Sequence, residues 1–413
     1  GIEVRWQDEH DRPLARLLFE TVERARDVLT RDLGVDWPRP TRIVVVRDLL
    51  SLSAMTGLPY ESAQTTGTVA VAKWGRVTLL SPRASRHGYP WRDTIAHELT
   101  HLAVTRASRD QAPLWLQEGI AKREEVRWRD PGPFDDRPPA EAIVRRGMEL
   151  KLALPLDKLG PSIAMLPTAD QATVAFAEVT SFVRFYAATQ GEGALPQLLG
   201  ELRSGKTANE ALVAASGADL SAWDVRWLAY LASRPRESLP PLFGLGREHQ
   251  SLADLHELRD RSRLAELLLS RGHPAEALTE LDASPARPAN AAGPAPSDLA
   301  EQASGDPSLR WLRARGLEDA GKRERGESLV ADPRQVITSY GPWWAIRGRW
   351  ARLRGRENEA QGSFVEAVAA DPFDVESACE SVHPEAVGAS SPGDAALCGA
   401  AREAGAPAFG PGD

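Results

Sequence analysis

The chain has 413 residues, 42% hydrophobic and 26% charged, which is enough for two domains and a sizeable core. A net charge of -8 argues against nucleic acid or an anionic membrane as the main partner. No apolar run approaches the roughly 20 residues that span a bilayer.

The opening, GIEVRWQDEHDRP, has no basic-then-apolar signal segment, but a start at Gly1 is compatible with a trimmed chain, so this says little about location. LARLLFETVERARDVLTRDLGV then spaces Leu14, Leu17, Leu18, Val22, Ala25 and Leu29 at helical intervals and stops at Gly34. TRIVVVRD (41–48) is short, β-branched and apolar, and reads as a buried strand. GTVAVAKWGRVTLLSP (67–82) reads as two strands or a hairpin closed by Pro82. DTIAHELTHLAVT (93–105) follows, with Pro90 and Asp93 as suitable helix starters. A second helix, PLWLQEGIAKREEV (113–126), runs into the Pro-rich RDPGPFDDRPP, and from 141 to about 233 the patterns are mainly helical. Helix, strands, then helices define an α+β domain over residues 1–235.

After RPRESLPPLFGLG the character changes. SRLAELLLSRGHPAEALTELDAS (262–284) is a helix, a Gly turn and a helix, and two later segments repeat the scheme. The turn glycines Gly321 and Gly355 are 34 residues apart, the period of a tetratricopeptide hairpin. Gly272 precedes Gly321 by 49, and a Pro/Ala-rich insert (284–297) accounts for nearly all of the excess. Residues 240–413 are therefore expected to be an all-α, tetratricopeptide-like repeat domain with a C-terminal tail, able to carry a protein partner. Cys379 and Cys398 are the only cysteines, 19 residues apart near the C-terminus. Two readings stay open: free thiols in a cytoplasmic protein, or one disulfide in a periplasmic, secreted or surface-anchored one.

The chemistry concentrates in HELTH. On a helix, residues i and i+4 lie one above the other, so His97 and His101 aim both imidazoles at one point, as two ligands of tetrahedral zinc must. Glu98 sits about 100° round from His97, beside such a metal, where it can take a proton from water and pass it to a leaving amine. Ile95, Leu99 and Leu102 are expected to pack the opposite face. Zinc needs a third protein ligand and leaves a fourth position for water. No third histidine lies at short spacing: His10, His87, His249, His256, His273 and His383 are scattered. Glu118, in WLQEGIA, is the better candidate. Gly119 beside it suggests a close helix crossing that would bring Glu118 to the histidines, the bland alternative being a solvated ion pair with Lys122.

HELTH followed by the Glu of WLQEGIA resembles the gluzincin metallopeptidases, and is similar above all to peptidase-MA-like domains joined to tetratricopeptide repeats. The resemblance covers residues 10–233 in order of elements, with its specific motifs between 67 and 125. It implies a zincin-like fold, one Zn2+ bound by His97, His101 and Glu118, Glu98 as general base, and a peptide or protein substrate. It also implies that the strand before the helix, GRVTLLSP (75–82), forms the rim that pairs with extended substrate. Where such domains often carry a Tyr, AFAEVTSFV places Phe176, leaving the oxyanion donor open, with Tyr186 as a substitute or a packing residue. The chain lacks the Gly-rich exopeptidase motif, so an endopeptidase is expected. The competing reading is an inactive zinc-binding scaffold acting through its repeats.

Overall fold

The computed structural model describes residues 1–37, 39–85, 88–131, 135, 138–160, 162–237, 239, 252–282, 307–331, 340–381 and 392–405. It divides into two compact units, one of Gly1–Ala84 and Pro90–Leu239, the other of Ser85–Tyr89 and Pro240–Asp413.

The first unit is built on a small four-stranded sheet. Strand β1 (Ile2–Trp6) leads through a short 3-10 turn into helix α1 (Ala15–Leu33), which ends on Gly34 in a left-handed conformation and returns to β2 (Thr41–Val46), parallel to β1. Helices α2 (Leu49–Thr56) and α3 (Tyr60–Thr66) follow, then the hairpin of β3 (Ala70–Lys73) and β4 (Arg76–Leu80). The order is β1-β2-β4-β3, with β4 parallel to β2 and antiparallel to β3. β1 has no counterpart in the sequence expectation, because five alternating residues at a chain start carry little signal. Its pairing makes β2 a central strand, which explains the run Thr41–Val46: Ile43, Val45, Val77 and Leu79 are fully buried on the face under α1 and α4. On the other face α2 covers only one end, where Val46, Leu52 and Leu80 form a cluster.

Helix α4 (Trp91–Ser108) carries HELTH, and α5 (Leu114–Glu124) packs against it. The expected amphipathic split of α4 needs correcting. Trp91, Ile95, Ala96, Glu98, Leu99, Thr100, Ala103 and Val104 are all buried, spread around the helix, whereas Leu102 is only half-buried and lines a cleft. α4 is a core helix, wedged between α1, α5, α8 and the β3–β4 hairpin. Its start is Pro90 without a side-chain cap, and the Asp93 carboxylate accepts hydrogen bonds from Trp128 and Arg129 instead. Helices α6 (Ala140–Glu149), α7 (Ala169–Gln190), α8 (Ala194–Arg203), α9 (Ala208–Ser216) and α10 (Leu220–Ser233) complete the unit around the long α7. α5 and α6 lie so close to α7 that a Cβ on Gly119 would stand 2.3 Å from Val183 Cγ2, and one on Gly147 2.4 Å from Val174 Cγ1.

Every secondary-structure element among the described residues of the second unit is a helix. α11 (Leu252–Ser270) and α12 (Pro274–Asp282), α13 (Pro307–Asp319) and α14 (Arg323–Val330), and α15 (Gly341–Leu353) and α16 (Glu357–Ala370) form three hairpins. Each turns on a glycine in the left-handed region: Gly272, Gly321 and Gly355. Successive hairpins touch, α12 and α15 both packing on α13. α17 (Val375–Glu380) and α18 (Pro392–Gly405) are joined by a disulfide between Cys379 and Cys398. The insert 284–297, His87, His249 and His383 lie outside the described residues. Among the described residues no helix is long and apolar enough to cross a membrane.

Candidate metal centre

The i, i+4 spacing on α4 brings His97 and His101 together, their Nε2 atoms 3.2 Å apart. α5 lays Glu118 across them, with Oε2 at 3.5 Å from His97 Nε2 and 3.6 Å from His101 Nε2. The triangle with these sides has its equidistant point about 2.0 Å from each atom, the length of zinc bonds to imidazole nitrogen and carboxylate oxygen. Ligand-capable atoms of His97, Glu98 and His101 also lie within 4.8 Å of one another, so two carboxylates compete for a third position. Glu118 is within ion-pairing distance of both rings, whereas no ion pair joins Glu98 to either.

Gly119 is not the crossing point of α4 and α5. Its missing side chain admits Val179 and Val183 of α7, so Glu118 is aimed at the histidines by the seat of α5 on α7. The solvated-pair alternative for Glu118 also fails, because only 13% of its side chain is exposed and Lys122 bonds Glu125 instead.

Glu125 escaped the sequence reading. Its Oε2 accepts from His97 Nδ1 at 3.1 Å, and its Oε1 from Lys122 Nζ at 2.5 Å. This fixes the His97 ring with Nε2 toward Glu118, the arrangement that orients a metal-binding imidazole. The only available signal was its spacing of seven residues from Glu118, two turns along one face of α5, at the C-cap of the helix.

The electrostatics are those of a site built for a cation. Burial works against a charge on His97, yet Glu118 and Glu125 outweigh it and lift the imidazole to about 10. Burial likewise opposes charge on Glu118 and Glu125. His101 and His97 hold Glu118 low, and Lys122 with His97 holds Glu125 at about 2. Glu98, buried in the cleft floor, is pushed up by its burial against the pull of the two histidines. One buried and two half-buried carboxylates thus favour positive charge at this point, carried by Lys122 and by a proton on His97 or by a cation in its place.

The cleft above has a volume of about 670 Å3. One wall is β3, and here the expectation for GRVTLLSP is corrected: β4 is paired on both sides, so β3 carries the free edge. The bond from Leu80 N to Val69 O sets the alternation of the hairpin, which turns the backbone groups of Ala70 and Ala72 away from β4, on the side of the cleft that both residues line. Phe176 lines the cleft, and among the described residues no tyrosine does. Tyr186 is buried against Trp223, a packing residue.

The family model of the peptidase MA superfamily matches residues 25–233. That is just over half of the chain, and the chain belongs to the superfamily. No curated protein and no solved structure matches it significantly.

Proposed function

We propose that the chain is a zinc-dependent endopeptidase in which His97, His101 and Glu118 hold one Zn2+ and Glu98 is the general base. The observation that carries this reading is the near-equilateral triangle of 3.2, 3.5 and 3.6 Å between the three donor atoms, which suits zinc and leaves a fourth position open. When bound, zinc supplies Lewis acidity and a water acidic near pH 7. Glu98, on the same helix turn, takes the proton from the attacking water and delivers it to the leaving amine. Its burial suits both roles, since a carboxyl pushed up from its ordinary range exchanges protons nearer neutrality. Glu125 keeps His97 in the tautomer that leaves Nε2 free. The free edge of β3 takes an extended substrate by strand addition, through the outward groups of Ala70 and Ala72.

The helical hairpins of the second unit act as tetratricopeptide-like repeats that bind a substrate protein or a partner, supported by the left-handed turn glycines and the contacts between successive hairpins. The disulfide supports an extracytoplasmic home.

A second reading has its own observation. Phe176 stands in the cleft and offers no hydroxyl to an oxyanion, which favours a zinc-binding scaffold of low or no activity. Metal analysis and cleavage assays separate the two. The endopeptidase is expected to hold one zinc per chain and to cleave a casein-like substrate. Glu98→Gln should keep the zinc and lose cleavage by about 10²- to 10⁴-fold. Zinc without cleavage of any peptide in a broad library selects the scaffold, and the absence of zinc removes both.

A further inference from the structure

Trp74 stands at the tip of the β3–β4 hairpin, 70% exposed, at the end of the free edge and on the rim of the cleft that holds His97 and Glu98. It and Gly75 are the two central residues between the paired Lys73 and Arg76, with φ of 55° and 71°, as in a type I′ turn. Asn–Gly fills such a turn best, and a bulky residue rarely takes a left-handed conformation. A tryptophan kept there, with its ring in solvent, is strained and unburied, the pattern of a functional position.

Its surroundings give the chemistry. Lys73 Nζ lies 4.7 Å and Arg76 Cζ 5.6 Å from the indole centroid. Lys73 and Arg76 also donate to the last carbonyls of α2, Thr56 O and Met55 O, which pins the hairpin in place. The uncovered end of the sheet continues the surface: register pairs Glu3 with Arg42 and Arg42 with Arg76, and Trp74, Arg5, Arg42 and Arg76 border a hollow of about 230 Å3. Three arginines border it with a single carboxylate, Glu3, which pairs with Arg5 at 2.5 Å and Arg42 at 3.1 Å, while among the described residues no carboxylate pairs with Arg76 or with Lys73 beside it, on a chain whose net charge is -8.

We propose that Trp74 and this basic row form a specificity subsite that selects extended peptides with an acidic stretch beside the scissile bond. The proposal rests on the peptidase reading of the cleft. β3 holds the peptide backbone, the indole takes an apolar or planar side chain, and Arg42, Arg76 and Arg5 take neighbouring carboxylates. An acidic peptide is favoured over other polyanions because Trp74, which borders both the hollow and the cleft, stands at the end of a free strand edge, which takes an extended polypeptide.

The test uses the full chain as Glu98→Gln, with a dye-labelled decapeptide alternating Glu with apolar residues and its Glu-to-Gln counterpart, read by fluorescence anisotropy. The acidic peptide should bind more tightly, with a preference that shrinks as salt rises. Trp74→Asn, which suits the turn, should weaken it about tenfold, the factor given by roughly 1.4 kcal/mol, and should unfold at no lower temperature. Arg42→Gln should weaken it about threefold. Equal binding of the two peptides, no measurable binding of the acidic one, or full affinity in Trp74→Asn overturns the proposal. So does a single-stranded oligonucleotide of equal charge that binds as well. Wild type that discriminates between the peptides yet cleaves neither them nor any peptide of a broad library leaves the subsite standing and removes the peptidase reading. Cleavage without discrimination does the reverse.

Discussion

Replacing Gly119 by alanine adds one methyl group where α5 and α7 leave no room. The new Cβ would lie 2.3 Å from Val183 Cγ2 and 2.6 Å from Val179 O, and ordinary contact begins near 3.4 Å. Valine has one strongly preferred rotamer in a helix, and a backbone carbonyl cannot swing aside, so the helices must part by roughly 0.8 to 1.1 Å at this point. Overpacking of this kind costs about 1–3 kcal/mol, and the better helix propensity of alanine returns up to about 1 kcal/mol. The net loss of about 1–2 kcal/mol lowers Tm by roughly 2–8 °C for a unit of this size. The chemical consequence is larger, because Glu118 is the adjacent residue. A metal site tolerates ligand displacements of only about 0.2 Å, so zinc affinity should fall at least tenfold. Thermal unfolding in the presence of a chelator reads the first effect, and competition with a chromophoric chelator reads the second. Gly200→Ala on α8, where a Cβ would meet nothing within 4 Å, is the control and should be neutral or stabilising. If Gly119→Ala matches wild type in both measurements, the seat of α5 on α7 does not aim Glu118.

Glu125→Gln should lower zinc affinity about 10- to 100-fold with little change in the fold, and unchanged affinity would show that His97 needs no such orientation. Glu178 on α7 gives a pH signature: burial pushes its carboxyl up to about 8 against the pull of the Leu154 N–H, with Asp224 adding like charge. The folded chain therefore keeps this proton between about 4.5 and 8 where the unfolded chain has released it, so stability falls as pH rises through that window. Glu178→Gln should flatten the fall in urea midpoints measured from pH 5 to 9, and an unaltered slope would count against it. Reducing the Cys379–Cys398 bond, which closes a loop of 19 residues' separation, should destabilise the second unit by about 3 kcal/mol. Finding two free thiols in unreduced, denatured protein would refute that pairing.

Much of the fold was legible because its signals are local. The span 41–46, the hairpin before α4, HELTH and the three turn glycines all rest on spacing within one or two elements. What escaped depends on distant partners. Which strand has the free edge is decided by the pairing of β4 with β2, some 35 residues away, and so the rim was assigned to β4 rather than β3. Gly119 was rightly read as a close approach, but a glycine does not name its neighbour, and α7 lies more than 50 residues further on. Glu125 looked like one carboxylate among many on a charged helix end. Only the lie of α5 across α4 makes it a partner of His97.

The free edge of β3 is four residues long, and its outward groups, those of Ala70 and Ala72, border the cleft. An edge this short, flanked by Lys73 and ended by a tight turn, is a poor template for another copy of the chain, so the opening that admits a substrate does little to invite aggregation. It also limits what backbone pairing alone can recognise to a pair or so of residues. Folded proteins present few such accessible stretches. On the proposed peptidase reading, selection by this cleft would therefore fall on conformation first, on segments already loose or unravelled, and only then on the side chains they carry.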